Sequence, residues 1–416
     1  MSEYLESLRA QPFGVQFKSL FNDRELFFRG VQRIRGTEAS EELSGTSEAD
    51  YFRSFAGNDT IYAGSGDDLI RKLRDNAVIY AGSGDDILDT GSLNRTDGGE
   101  DKVFLGAGDD VIWDRGGILR VSGGAGNDVI YANYAGADQI YGGDGDDRVF
   151  AYLDDDMIYG GAGNDVLNGN QGADTINGGI GDDVIRGQIG SDTLQGAGGN
   201  DRIFGGNGDD TIFGGAGNDV ISANNGNDVV RGGAGNDRMS GALGDDRLNG
   251  DAGNDVIKGD FGKDRLAGGD GVDRLSGNNG ADQVFGGRGN DFLAGNQGND
   301  RLFGNNGADK LFGGIGNDLM NGGTGNDLLA GGKGRDTFVF NVGYGEDTVT
   351  DFIDVIDAIN FDVNLFDGDP IDELRDLATA DGDDLVFDFG GGDVFQVNNY
   401  LARFTFDDLV DNILIV

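Results

Sequence analysis

Residues 160–168 read Gly160-Gly161-Ala162-Gly163-Asn164-Asp165-Val166-Leu167-Asn168, and the pattern returns every nine residues on both sides. Stepping by nine from Asp138 meets an Asp at each of 22 steps and ends at Asp336. Chance does not place 23 Asp in phase. In the 22 nonapeptides that begin at Gly142, position 1 is Gly except at Ala151 and Ala223. Position 4 is Gly except at Asp154, position 6 is always Asp, and position 8 is always apolar, from Val149 to Phe338. A fixed short period of this kind is the mark of a solenoid.

Upstream the period continues with faults. Asp50, Asp59, Asp68 and Asp86 keep the phase, and Ala77 stands where one Asp is due. Thr90 to Glu100 breaks the pattern. Asp101, Asp110 and Asp128 share a new phase, with Leu119 in an Asp position, and one extra residue near Tyr134 shifts the register before Asp138.

Each nonapeptide divides into a six-residue turn and a three-residue strand. Gly at positions 1 and 4 is expected to supply positive φ. The last three residues alternate outward, inward, outward, so only position 8 faces in. Two nonapeptides then make one 18-residue coil with a turn at each side. Successive coils stack as parallel strands over a thin core. The fold expected is all-β, a parallel β-roll solenoid.

Stacking sets the Asp residues of successive coils about 4.8 Å apart. Two charges at that distance repel by roughly 3.5 kcal/mol at an effective dielectric near 20. Repeated along the stack, this term competes with a total stability of about 5–15 kcal/mol. A divalent cation between turns reverses its sign. Carboxylate and carbonyl oxygens in a flexible site favour Ca²⁺ over Mg²⁺. Transition metals lose because there is no imidazole or thiolate.

Composition agrees. The chain has 416 residues, 80 Gly, no Cys and no His, and its formal charge is −44. Disulfides, Cys/His zinc sites and His-dependent catalytic triads are excluded. The charge argues against nucleic acid and anionic membrane as partners, and for cations. No apolar run is long enough for a membrane span. The start, Met1-Ser2-Glu3-Tyr4-Leu5-Glu6, is acidic where a cleaved signal peptide needs a basic region, so none is expected.

The repeat G-G-x-G-x-D-x-U-x resembles that of the RTX (hemolysin-type) calcium-binding proteins, over roughly residues 43–341. The resemblance implies a right-handed parallel β-roll with many Ca²⁺ ions, each held by position-6 Asp and turn carbonyls. Carried over residue by residue, the metal ligands are Asp68, Asp86, Asp110, Asp128, Asp138, Asp147, Asp156, Asp165, Asp174, Asp183, Asp192, Asp201, Asp210 and Asp219. They continue as Asp228, Asp237, Asp246, Asp255, Asp264, Asp273, Asp282, Asp291, Asp300, Asp309, Asp318, Asp327 and Asp336. The turn of Asp156 is the least regular, because Ala151 and Asp154 replace both of its position-1 and position-4 glycines.

Residues 1–42 read as a short N-terminal cap, with Arg9, Lys18, Arg24, Arg29, Arg33 and Arg35 giving its start a basic character. Residues 342–416 hold two basic and 19 acidic residues. There Thr337–Phe340 and Asp347–Phe352 read as strands, Asp369-Pro370 caps a short helix to Ala378, and Asp384–Phe389 with Asp393–Val397 reads as a hairpin around three glycines. This mixed, mainly β segment resembles the C-terminal cap and type I secretion region of many RTX proteins, which implies an extracellular protein and the type I machinery as a partner.

Once cations neutralise the turns, position 7 offers a basic face. Arg148, Arg202, Arg238, Arg274 and Lys310 fall an even number of nonapeptides apart and share one face, and Arg247, Arg265 and Arg301 share the other. Phe150, Phe204 and Phe312 join the first, Phe285 and Phe303 the second. These columns read as solvated strand faces with incidental cation–π pairs or as a groove for anionic polysaccharide or a cell surface. The leading functional expectation is a secreted, non-enzymatic calcium-binding protein with a structural, adhesion or matrix role. The alternative is a polysaccharide-binding accessory module or a carbohydrate-active enzyme scaffolded on the roll.

Overall fold

The computed structural model describes residues 31–55, 57–72, 76–90, 99–132, 136–353, 356–366, 369–400, 409 and 413–415. Of the basic residues expected in the N-terminal cap, Arg9, Lys18, Arg24 and Arg29 lie outside the described residues. The chain forms two compact units, residues 1–189 and 190–416.

Unit 1 is a parallel solenoid from the strand Gln32–Arg35 to the strand Val184–Ile189. Alternate strands build opposite walls. On one wall Tyr51 pairs with Leu69 and Arg148 with Val166, so partners stand two nonapeptides apart. On the other, Gln139 pairs with Met157. The two faults in the period are insertions that leave the stacking intact. Val78 pairs with Lys102 across the first, and Val129 with Arg148 across the second. Among the described residues stacking begins at Gln32, which pairs with Asp50, so part of the segment expected to be a cap already belongs to the coils.

Unit 2 repeats the design from the strand Thr193–Gly198 to the strand Leu328–Lys333. Parallel pairing then runs past residue 341: Glu346–Val349 lies on Leu328–Lys333, and Ala358–Phe361 on Thr337–Phe340. The helix Pro370–Leu377 forms where expected, with Asp369 Oδ1 accepting the Ile371 N–H at 3.1 Å and proline in its first turn. The expected hairpin pairs Asp384–Gly390 with Asp393–Val397 in antiparallel fashion. Phe340, Phe361, Phe387 and Phe395 pack edge-on and tilted beneath it, all buried.

The thin core is the position-8 column. Val149, Ile158, Leu167, Leu194, Ile257 and Phe338 are each 0 % exposed. Full burial is what the one invariant apolar position requires, since there a large apolar side chain leaves water in every coil. The glycine expectation needs correction. Positive φ falls at positions 2 and 4, not 1: Gly143 is at +126° and Gly145 at +127°, whereas Gly142 has ordinary φ. Position 2 accepts Asn at the same twist, as at Asn170, Asn224 and Asn278, because a short amide side chain tolerates left-handed backbone. Tyr152 and Asp154 also take positive φ, at 79° and 71°. The irregular turn of Asp156 thus follows the same path at the cost of strain.

Outside the irregular turn of Asp154, position 4 is glycine for a second reason. At Gly298, φ +143°, a Cβ would overlap the carbonyl of Gly280 in the coil beneath, whereas at Gly382, φ +66°, nothing lies within 4 Å. Gly298→Ala is expected to destabilise by more than about 2 kcal/mol and Gly382→Ala by only about 1 kcal/mol. Thermal melts of the calcium-loaded variants check this; equal losses would mean that φ alone decides.

Candidate metal sites

Every Asp assigned from the sequence is at most 3 % exposed. Each position-6 side chain turns in beneath its own loop and reaches the next coil back. In unit 1, Asp68 Oδ1 accepts the Asp50 N–H at 2.7 Å, and the ladder continues through Asp86, Asp110, Asp128, Asp147, Asp165 and Asp183. The opposite edge runs from Leu119, whose N–H reaches Asp138 at 2.7 Å, through Asp156 to Asp174. In unit 2, one ladder climbs from Asp192 by Asp210, Asp228, Asp246, Asp264, Asp282, Asp300 and Asp318 to Asp336. The other climbs from Asp201 by Asp219, Asp237, Asp255, Asp273, Asp291 and Asp309 to Asp327.

The second carboxylate oxygen is different. Oδ2 of Asp68, Asp86, Asp110, Asp147, Asp237, Asp273 and Asp291, among many others, is buried with no hydrogen-bond partner in the chain. Where position 1 is glycine, as before Asp147, Asp237, Asp273 and Asp291, it points over that glycine. A Cβ on Gly286 would come within 2.5 Å of Asp291 Oδ2 and 2.6 Å of the carbonyl oxygen of Gly304 in the next coil. Gly313 meets Asp318 Oδ2 and the Gly331 carbonyl at the same distances. Position 1 is therefore glycine because two oxygens from two coils converge on it. Where alanine stands there, at Ala151 and Ala223, its methyl takes up part of that space.

Buried carboxylate oxygens without donors are costly. The cost shows in their acidity: burial pushes Asp68 up to about 7, Asp86 and Asp147 to about 8, Asp138 to about 9, and Asp264 and Asp291 to about 6. The ladder N–H bond works against burial, and repulsion from neighbouring carboxylates adds to it. Burial, not the repulsion emphasised from the sequence, is thus the larger penalty. Either a proton or a cation must compensate it.

Among the described residues no three His, Cys, Asp or Glu side chains gather into one cluster. Turns such as those of Asp291 and Asp318 instead bring a single buried carboxylate and a backbone carbonyl of the neighbouring coil to one place. That all-oxygen donor set fits Ca²⁺, and position-6 Asp and the position-1 carbonyls are the groups that would hold it.

The RTX calcium-binding nonapeptide repeat family model matches this chain in many overlapping copies, from residues 35–70 to 312–345. The chain belongs to the RTX family. It is an RTX calcium-binding β-roll protein. No curated protein sequence matches it. Among solved structures, the extracellular lipase LipA from Serratia marcescens is similar at 21 % identity over 47 % of this chain, with a TM-score of 0.26. The match spans 42 % of the lipase chain. The AlgE6R3 subunit from the Azotobacter vinelandii mannuronan C5-epimerase is similar at 26 % identity over 33 % of this chain and 80 % of that one, with a TM-score of 0.16.

The RTX ladders hold members that the nine-residue count missed. Asp347 Oδ1 accepts the Asp327 N–H at 3.1 Å, and Asp357 Oδ1 the Asp336 N–H at 2.9 Å. The two coils that carry them are longer than two nonapeptides, so a strict nine-residue step passes them by. Asp357 Oδ2 also takes the Ile353 N–H at 2.8 Å, which ends that ladder with both oxygens satisfied. Position 5 was read as variable, yet its Asn and Asp side chains form a second, outer ladder: Asn236 N–H donates to Asn218 Oδ1 at 2.7 Å and Asn254 N–H to Asn236 Oδ1 at 2.7 Å. The frequent Asn or Asp before the invariant Asp was the signal for it.

Proposed function

We propose that this RTX chain is an exported calcium-loaded scaffold without catalytic activity, serving a structural, adhesion or matrix role outside the cell. Two observations support this reading. The buried, donor-less Oδ2 column demands cations in number, and calcium is plentiful outside cells and scarce within. The regular coils of such a chain stay unfolded while it is exported and fold on arrival, which couples binding to folding. Among the described residues no helix is long and apolar enough to cross a membrane. Residues 342–416, rich in acid, would carry the export signal for type I machinery. A variant ending at residue 341 is expected to stay in the cells; its efficient secretion would overturn the export assignment.

A second reading, retention of anionic polysaccharide, is favoured by one feature of unit 2. Arg202, Arg238, Arg274 and Lys310 stand exposed on the same wall, and Arg247 pairs directly with Arg265 on the other. Arg265 lies over the Phe285 ring at 4.3 Å and Arg274 over Phe292 at 4.7 Å, which holds both guanidinium groups in place. Replacing the four residues of the first wall with Glu is expected to abolish retention of calcium-loaded protein on a polyuronate column at about 0.1 M salt. Unchanged retention would remove this reading.

A further inference from the structure

On one edge of unit 1 the repeat is broken in a consistent way. Four successive turns have a polar or charged side chain at position 1, where the other edge has Ala63, Ala81 and Leu105: Ser54 and Lys72 directly follow paired strands, and Thr90 and Asp114 end them. In each, a group of the chain itself reaches a carboxylate. The Ser54 hydroxyl donates to Asp59 Oδ2. The Thr90 hydroxyl donates to Asp114 Oδ1 at 2.8 Å, and the Gly116 N–H to Asp114 Oδ2 at 3.0 Å.

Lys72 is the decisive member. Its ammonium lies 2.5 Å from Asp101 Oδ1, with Lys72 0 % and Asp101 1 % exposed. The same oxygen accepts the Ala77 N–H at 2.8 Å, the ladder bond of a regular coil. In regular turns the space above position 1 is occupied by the Oδ2 of the turn's own Asp. Here that Asp is replaced by Ala77, which removes one negative charge and opens room for the lysine chain. Two departures from the repeat, Gly to Lys and Asp to Ala, thus fit each other. One carboxylate and one ammonium remain where other turns bring carboxylate oxygens without donors.

We propose that the Lys72 ammonium is a tethered cation that takes the place of calcium in this turn, so that the strands Ala77–Ser83 and Glu100–Ala107 beside this edge stay paired without metal. This rests on the reading of the regular turns as calcium sites. In a solenoid whose other turns wait for an ion, such an edge is a pre-formed seed on which neighbouring coils stack, since each coil gains its stability from the next. A buried ion pair is a poor source of net stability, but removal of one partner strands the other charge, so the lysine cannot be replaced by an apolar chain at no cost.

Amide hydrogen exchange of the full chain tests this. In calcium-free buffer at neutral pH, segments 77–83 and 100–107 are expected to exchange at least about ten-fold more slowly than segments 238–318. Lys72→Met should erase that difference without calcium. The double variant Lys72→Gly, Ala77→Asp rebuilds a regular turn and should protect these segments only when calcium is added. If Lys72→Met does not fold even with calcium, the double variant decides, and its protection in calcium-free buffer would overturn the proposal. Equally fast exchange in all segments of the unaltered chain without calcium would overturn the role of Lys72 and leave the calcium sites standing. Equally slow exchange everywhere without calcium would overturn both.

Discussion

Protein freed of calcium by dialysis is expected to gain β-structure when the pH is lowered from about 8 to about 5. The buried ladder carboxylates have folded-state values raised by burial, to about 7 at Asp237, about 8 at Asp110 and about 6 at Asp282, from 3.8. Between 3.8 and these values the folded chain binds more protons than the unfolded one. Stability of the metal-free fold therefore falls as pH rises through that window and returns on acidification. A shift of one unit corresponds to about 1.4 kcal/mol, so a few such sites together rival the whole stability of a domain. Protons and calcium satisfy the same oxygens, so the calcium-loaded protein should respond in the opposite sense and lose ions as pH falls. Far-UV circular dichroism at several pH values checks both arms. A calcium-free protein that loses β-signal on acidification would contradict the account.

Replacing Asp237, Asp255 and Asp273 with Asn is expected to remove about three calcium ions from the total bound, because ligand charge sets affinity in such sites. The three follow one another on one ladder of unit 2, each accepting the N–H of the Asp before it at 2.7–2.8 Å. Asn keeps that acceptor, so the backbone ladder survives. It also brings a donor to the place where Oδ2 and a carbonyl of the next coil converge, as Asp273 Oδ2 and the Gly286 carbonyl do over Gly268. The triple variant should accordingly be more stable than the natural chain in chelator and less stable in calcium. Native mass spectrometry gives the stoichiometry and thermal melts the stabilities. An unchanged ion count would show that these carboxylates are not the ligands.

Much of this was legible in the sequence, for a physical reason. A coil of fixed length transmits its register to the next, so Leu167 at position 8 and Asp165 at position 6 report the environment of every equivalent residue. What the repeat could not report was the division of labour among the glycines. Gly142 and Gly143 are adjacent glycines, yet one answers to converging oxygens and the other to backbone twist. Nor could counting reach Asp347 and Asp357, where loops lengthen the coil, or disclose that Lys72 and Ala77 compensate each other across a turn. Repulsion between carboxylates is visible from spacing alone, whereas their burial appears only once the loops close over them.

The central claim is that the roll is held by cations its own carboxylates require. Far-UV circular dichroism during a Ca²⁺ titration at pH 7.5, with Mg²⁺ as control, tests it most directly. The account predicts that most of the β-signal appears cooperatively with Ca²⁺ and not with Mg²⁺ at the same concentration. A full β-signal in calcium-free protein, unchanged by the titration, would contradict it.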